Sequence, residues 1–167
     1  MYRPASHPTA TMLSLPNAGL AGKRAIWLTA CDPASHGAFI RDLTRQNFAA
    51  LMARTVGWDE ARHQQEPRAP DRYRMVWADD ELIGFFAVRE EGDALYLQTL
   101  QLVPEQRHRG YGTALLHAVA DEARARGPRQ VRCRAFKENP ALAWYQRHGY
   151  SVVADEPHCV LMRRDVQ

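Results

Sequence analysis

The spacing of apolar residues changes several times along the chain, and each change marks an element. "AIWLT" reads as a short strand rich in β-branched and aromatic residues. From His36 to about Thr55 the apolar residues Phe39, Leu43, Phe48, Leu51 and Met52 recur at helical spacing, and Gly57 breaks the run. "WDEARHQQ" predicts a second, shorter helix with acids in its first turn, where the helix dipole favours them. "EPRAPDR" is a loop. "YRMVWA", "ELIGFFAV" and "ALYLQTLQLV" are strand-like runs joined by the short turns "DD" and "REEGD", the pattern of an antiparallel meander. Residues 113–126 predict a helix with Leu115, Leu116, Val119, Ala120 and Ala123 on one face, stopped by Gly127 and Pro128. "QVRCRAF" is a further strand. "NPALAWYQRHG" is a compact helix with Asn139 as N-cap, Pro140 at the first helical position and Gly149 just past the end. "YSVVA" and "CVLMRR", joined by "DEPH", close the chain as a hairpin. The order β α α β β β α β α β β predicts an α/β (α+β) domain: a mixed, mostly antiparallel central sheet flanked by helices, with one βα crossover.

Residues 1–22 carry no period and several prolines, so they read as a mobile N-terminal tail ahead of a single domain at 23–167. A length of 167 residues suits one domain with a real core. Hydrophobic residues make up 46% and charged residues 25%, which excludes general disorder. The net charge of +3 rests on arginine, since Lys23 and Lys137 are the lysines; this is too little for a nucleic-acid partner to be expected. Cys31, Cys133 and Cys159 are far apart and show no metal-ligand spacing, so no metal is expected and a reducing compartment is. No run of eighteen apolar residues appears, so no membrane span is expected, and the N-terminus lacks a signal-peptide core; the cytoplasm is the expected location.

The stretch "PEQRHRGYGTALL" adds chemistry to this outline. Arg107, His108 and Arg109 crowd against Gly110 and Gly112 at the start of a helix. Like charges in a tight turn repel unless an anion is expected there. A Gly-x-Gly turn also has a purely structural use, a tight strand-to-helix connection. Here, however, residues 106–112 can bend over the helix end so that successive N–H groups face one concavity, and the helix dipole points the same way. A diphosphate fits. A Walker A loop is absent, and a Rossmann fingerprint fails because Leu115 stands where its third small residue belongs.

"VPEQRHRGYGTALL" resembles the Arg/Gln-x-x-Gly-x-Gly/Ala coenzyme A loop of the GNAT superfamily of N-acetyltransferases, with Arg107, Gly110 and Gly112 on its defining positions. "NPALAWYQRHGY" is similar to that superfamily's later segment, matched by Asn139, Tyr145, Gly149 and Tyr150. The resemblance covers roughly residues 24–164 and extends to the order of elements. It implies acetyl-CoA as cosubstrate, lying in a V-shaped gap between "ALYLQTLQLV" and "QVRCRAF". Its pyrophosphate would rest on N–H groups of His108, Arg109, Gly110, Tyr111, Gly112 and Thr113, aided by Arg107. Its pantetheine arm would pair with Leu102 and Val103, with N–H groups near Leu102 stabilising the oxyanion. Asn139 would hold the pantetheine or acceptor side. Tyr145 would protonate the departing thiolate, and of Trp144 and Tyr145 it is the ring implied to face the gap. The partner implied is a small-molecule or peptide amine; a homodimer is also carried as an expectation.

Many relatives place a glutamate on the strand where this chain has Gln98, Thr99 and Gln101. The general base is therefore open among Glu105, Asp59, Glu60, His63, His158 and a water chain, each of which also reads as an ordinary surface group. The missing carboxylate keeps a second reading alive, a coenzyme A-binding regulatory module without transferase activity. Trp58 reads as core or as acceptor wall, His117 as a solvated helix position. The arginines of "RARGPRQVRCR" read as a solvated helix end and strand face.

Overall fold

The computed structural model describes residues 10–13 and 24–166. Eight strands among them form one sheet, in the order β1-β2-β3-β4-β5-β6-β8-β7. They are β1 (Thr11–Leu13), β2 (Ile26–Ala30), β3 (Tyr73–Ala78), β4 (Glu81–Glu91), β5 (Ala94–Leu102), β6 (Gln130–Phe136), β7 (Ser151–Asp155) and β8 (Cys159–Asp165). The helices are α1 (Pro33–Arg54), α2 (Glu60–His63), α3 (Tyr111–Arg126) and α4 (Ala141–Arg147). Every pairing is antiparallel except β5 with β6, whose crossover runs through α3. From β2 onward the order is the one predicted.

The departures are local. Residues 11–13, assigned to the tail by sequence, form β1 and pair with β2; three residues are too few to show a period. The remainder of residues 1–22 lies outside the described residues, apart from residue 10. Helix α1 starts at Pro33 because Asp32 caps it, accepting from the Ala34 N–H at 3.2 Å and the Ser35 hydroxyl at 2.6 Å. Helix α2 is one turn. Helix α4 starts at Ala141 rather than Pro140, with Asn139 Oδ1 accepting from the Ala141 N–H at 2.9 Å.

The sheet separates two apolar layers. On one face α3 and α4 cover Phe86, Leu95, Leu97, Val131 and Cys133 with Leu115, Leu116, Val119 and Tyr145. On the other, α1 sets Ile40 and Leu43 against Met75 and Phe85. The short period of each strand and the 3.6 period of each helix thus meet on matching faces.

The parallel ladder between β5 and β6 is short. It runs from Ala94–Gln130 to Leu97–Cys133 and stops. Beyond it β5 continues with β4 as far as Gly84–Leu102, while β6 continues with β8 as far as Phe136–Cys159. The two strands therefore diverge and leave a gap. The parting begins at a bulge: Ala87 pairs with Thr99 and Val88 with Leu97, so Gln98 has no opposite residue. An extra residue bends a strand and increases its twist.

Which β5 groups face the gap follows from the ladder. The Val103 N–H donates to the Ile83 carbonyl at 2.9 Å. Hydrogen-bonded pairs alternate in an antiparallel ladder, so Gln101 also spends its backbone groups on β4. Leu100 and Leu102 point theirs away, into the gap. Gly84 stands opposite Leu102 in the close, non-bonded register. A Cβ there would lie 2.2 Å from the Gln101 carbonyl oxygen and 2.8 Å from Leu102 Cδ2. Gly84→Ala should thus cost at least about 1–3 kcal/mol in urea unfolding. An unchanged midpoint would mean that β4 and β5 separate freely.

Candidate active site

The diphosphate loop is built directly after β5. Pro104–Gln106 form a single 3₁₀ turn, His108 takes φ 59°, Gly110 takes φ 87°, and α3 begins at Tyr111. Glycine suits the left-handed position, since a Cβ there is strained. Gly110 is also the N-cap and supplies no capping side chain. Among the described residues, no backbone or side-chain acceptor takes the N–H groups of residues 108–113. They surround the positive end of a sixteen-residue helix. Free amides and dipole together suit an anion, and this is the arrangement that a pyrophosphate fits.

The first turn of α3 is braced by α4. A Cβ on Gly112 would meet Trp144 Cζ2 at 3.0 Å, so the absence of a side chain lets the indole close against the helix. His148 Nδ1–H donates to the Trp144 carbonyl at 2.8 Å, which leaves Nε2 to accept from the Thr113 hydroxyl at 2.9 Å. Tyr111 is buried in the core and anchors the turn. His148 was not singled out by sequence; its place one residue before Gly149 drew it into the helix end.

The other sequence-predicted groups fall into place unequally. His108 and Arg109 are exposed, with Arg109 Nε on the Glu105 carbonyl at 3.2 Å. Arg107 is exposed as well, but its guanidinium turns back onto the protein. Its Nε and Nη2 donate to the Leu102 carbonyl at 3.3 and 3.2 Å, and Nη2 donates to Asn47 Oδ1 at 2.5 Å. It ties the loop to the end of β5 and to α1. Val103, expected with Leu102 to pair with pantetheine, donates its N–H to the Ile83 carbonyl at 2.9 Å, and by ladder alternation the outward groups are those of Leu100 and Leu102. Asn139 is a cap, with its side-chain oxygen occupied by α4.

Tyr145 lies where the gap closes. Its ring is 5.3 Å from that of Tyr150, edge to face, and it belongs to the core cluster that contains Leu97 and Cys133, the last parallel pair. It is 8% exposed. Tyr145 is thus the buried ring of the Trp144–Tyr145 pair, and half-buried Trp144 packs on the loop glycine. The Tyr145 hydroxyl has no hydrogen-bond partner among the described residues. Burial, with smaller effects of Cys133, Tyr150 and Tyr96, raises its pKa well above the ordinary phenol value, so the proton stays on.

The α1 face of the gap is polar but uncharged at its centre. Gln101 is buried; its amide nitrogen donates to Thr44 Oγ1 at 3.1 Å and Thr99 Oγ1 at 3.0 Å, and its oxygen accepts from Asn47 Nδ2 at 3.1 Å. Asn47 then accepts from Arg107. Sequence reasoning named Gln101 but missed Thr44 and Asn47; polar residues inside a helix with an apolar stripe were the available signal. Further along α1, Phe48 meets Phe136 at 6.4 Å between centroids and Arg54 pairs with Glu138 at 3.4 Å. Helix α1 therefore bridges both banks of the gap.

The candidate bases are not assembled here. Glu60 accepts from Trp58, Arg45 and Gln64, bonds that pull its pKa down to about 2. Asp59 caps α2. His63 is buried under the Trp58 ring, 4.5 Å away, with Nε2 unpartnered among the described residues. Glu105 and His158 are exposed. The arginines of "RARGPRQVRCR" pair along the surface, Arg124 with Asp121, Arg126 with Glu90 and Glu122, Arg132 with Asp93 and Arg134 with Glu156.

A parted sheet beside an unfilled helix N-terminus is one architecture, and the comparisons agree with it. Residues 25–150 match the acetyltransferase (GNAT) family. The chain belongs to that family. Its members use acetyl-CoA, and the fold recurs in GNAT structures of low sequence identity. PaiA N-acetyltransferase from Thermoplasma acidophilum, solved with coenzyme A, superposes with a TM-score of 0.68 at 17% identity, over 84% of this chain and 98% of that one. The ribosomal-protein-S18-alanine N-acetyltransferase from Escherichia coli gives 0.66 at 16% identity, over 85% and 94%. The uncharacterized protein YxbD of Bacillus subtilis (strain 168) is 35% identical over 81 residues, 48% of this chain and 50% of YxbD. No helix among the described residues of this GNAT chain is long and apolar enough to cross a membrane.

Coenzyme A at 100 times its Kd should stabilise the protein by about 2.7 kcal/mol. Gly112→Asp places a carboxylate at the anion site and a Cβ against Trp144. Calorimetry should then detect no coenzyme A binding by a protein of unchanged far-UV circular dichroism. Retained affinity would place the diphosphate elsewhere.

Proposed function

We propose that residues 23–167 form a single transferase domain that moves an acetyl group from acetyl-CoA to a primary amine by direct attack in a ternary complex. One observation carries the reading: the edge of β5 that β6 leaves open, with its Leu102 carbonyl held by Arg107, runs into a helix N-terminus whose amides have no acceptor among the described residues, with a buried phenol where the edge begins. The diphosphate would rest on residues 108–113, the pantetheine arm along Leu100 and Leu102. Arg107 would fix the loop through the Leu102 carbonyl and is also near enough to the loop to add charge. The thioester would then sit near Tyr145 and the bulge at Gln98.

In this reading the amine lone pair attacks the thioester carbon, the C–N bond forms and the C–S bond breaks. Outward N–H groups of β5 offer donors to the carbonyl oxygen as charge develops. The thiolate takes a proton from Tyr145. A phenol suits this role because burial keeps it neutral, and its acid form persists at pH values where free tyrosine ionises. The lack of a carboxylate at Gln101 favours a second reading, a coenzyme A-binding module without turnover. Thiol release in the presence of amines separates the two.

Tyr145→Phe keeps the ring and removes only a hydroxyl without hydrogen bonds. Stability and acetyl-CoA affinity should be nearly unchanged, with kcat lower by roughly 10²–10⁴-fold. For the parent enzyme kcat/KM should rise with pH as the acceptor deprotonates, with no fall from phenol ionisation up to about pH 10. Full kcat in Tyr145→Phe, under conditions where chemistry limits the rate, would assign protonation of the thiolate to solvent.

A further inference from the structure

We infer that the acceptor is a weakly basic α-amino group, carried by a neutral or acidic molecule, rather than a strongly basic alkylamine or polyamine. The inference rests on the transferase reading above and adds the substrate class. It comes from the face of the gap that the coenzyme would leave open. The loop and Trp144 occupy the α3 and α4 side, so the amine must arrive from the α1 side. The centre of that side is Thr44, Asn47, Thr99 and Gln101, bonded to one another. The Gln101 amide has both N–H donors used within the wall and its oxygen bonded to Asn47, and an amide is not basic enough to take a proton from an ammonium.

The carboxylates around this wall are already matched. Glu60 is bound by Arg45, Glu138 by Arg54 and Glu156 by Arg134. Asp59 is spent on the α2 cap. Arg107 donates to neutral acceptors there, the Leu102 carbonyl and the Asn47 amide oxygen, and brings no base to the wall. The bonded centre of the wall holds no carboxylate, so it offers a polycation no counter-charge. It also gives an alkylammonium nothing to surrender its proton to.

The consequence is quantitative. An α-amine has a reference pKa near 7.7–8.0, so roughly one molecule in ten is unprotonated at pH 7; an ε-amine near 10.4 offers about one in ~2500. The unprotonated amine attacks the thioester carbon, its spare proton leaves to water, and the thiolate is protonated as coenzyme A departs. Without a base in the wall, the rate follows the free-amine fraction.

The test is acetyl-CoA turnover by the full chain at pH 7 with four acceptors: a lysine-free peptide with a free α-amine, the same peptide α-acetylated and carrying one lysine, alaninamide, and spermidine. Products are identified by mass. The peptide or alaninamide should exceed the lysine peptide and spermidine in kcat/KM by about 10²-fold, and the ratio should shrink as pH rises toward 10. Whether the peptide or alaninamide leads identifies the molecule that carries the α-amine. Spermidine or the lysine peptide matching the α-amines at pH 7 overturns this inference and leaves the transferase reading standing. Acetyl-CoA binding, seen as a thermal shift, without acetylation of any amine overturns the transferase reading, and this inference with it.

Discussion

Everything in this protein that resembles a site depends on one geometric event, the parting of β5 from β6 after Leu97 and Cys133. A continuous ladder would have consumed the backbone groups of Leu100 and Leu102, and no extended ligand could lie along the sheet. The bulge at Gln98 turns β5 away at that point. Each strand keeps its other neighbour, so the split costs ladder bonds on one side only. Gly84 makes the divergence rigid by letting β4 approach the departing half of β5 more closely than any side chain would allow. The edge is therefore open without being loose.

Three further layers depend on that opening. The loop after β5 turns through His108 and Gly110 and delivers the N-terminus of α3 to the mouth of the gap. Helix α4 braces that turn through Trp144 and His148. Helix α1 spans the opposite face, joined to β5 through Thr44 and Asn47 and to the far bank through Phe48 and Arg54. Arg107 joins the layers, since its guanidinium touches β5 and α1 while its backbone starts the loop. The loop and the Gln101–Asn47 wall consequently share a residue.

Much of this was legible in the residues, and what was not has physical causes. Local signals were strong: apolar spacing located α1 and α3, close-set β-rich runs located the meander, and Gly110 with Gly112 located the loop. The tertiary facts had no local signal. That Gln98 is a bulge depends on β4. That Arg107 bends back depends on a carbonyl on β5 and an amide on α1, far apart in sequence. Burial of Tyr145 in preference to Trp144 was set by the smallness of Gly112, which draws the larger ring to the loop. The resemblance implied pairing at Leu102 and Val103; that the Val103 N–H belongs to β4, leaving Leu100 and Leu102 facing outward, follows only from the ladder. The missing carboxylate, visible at once as Gln101, acquired its meaning only when the amide proved fully bonded.

The central claim is that the parted edge and the helix N-terminus form one binding surface. A second concavity, a groove of about 510 Å³ lined by Leu13, Leu28, Arg74, Asp121 and Glu122 among others, lies on β1, β2 and the outer side of α3. Hydrogen exchange with and without coenzyme A distinguishes the two places. The amides of residues 108–113 and of Leu100 and Leu102 should exchange more slowly when coenzyme A is bound, with the groove unaffected. Protection confined to the groove, or absent from residues 108–113, would contradict the account.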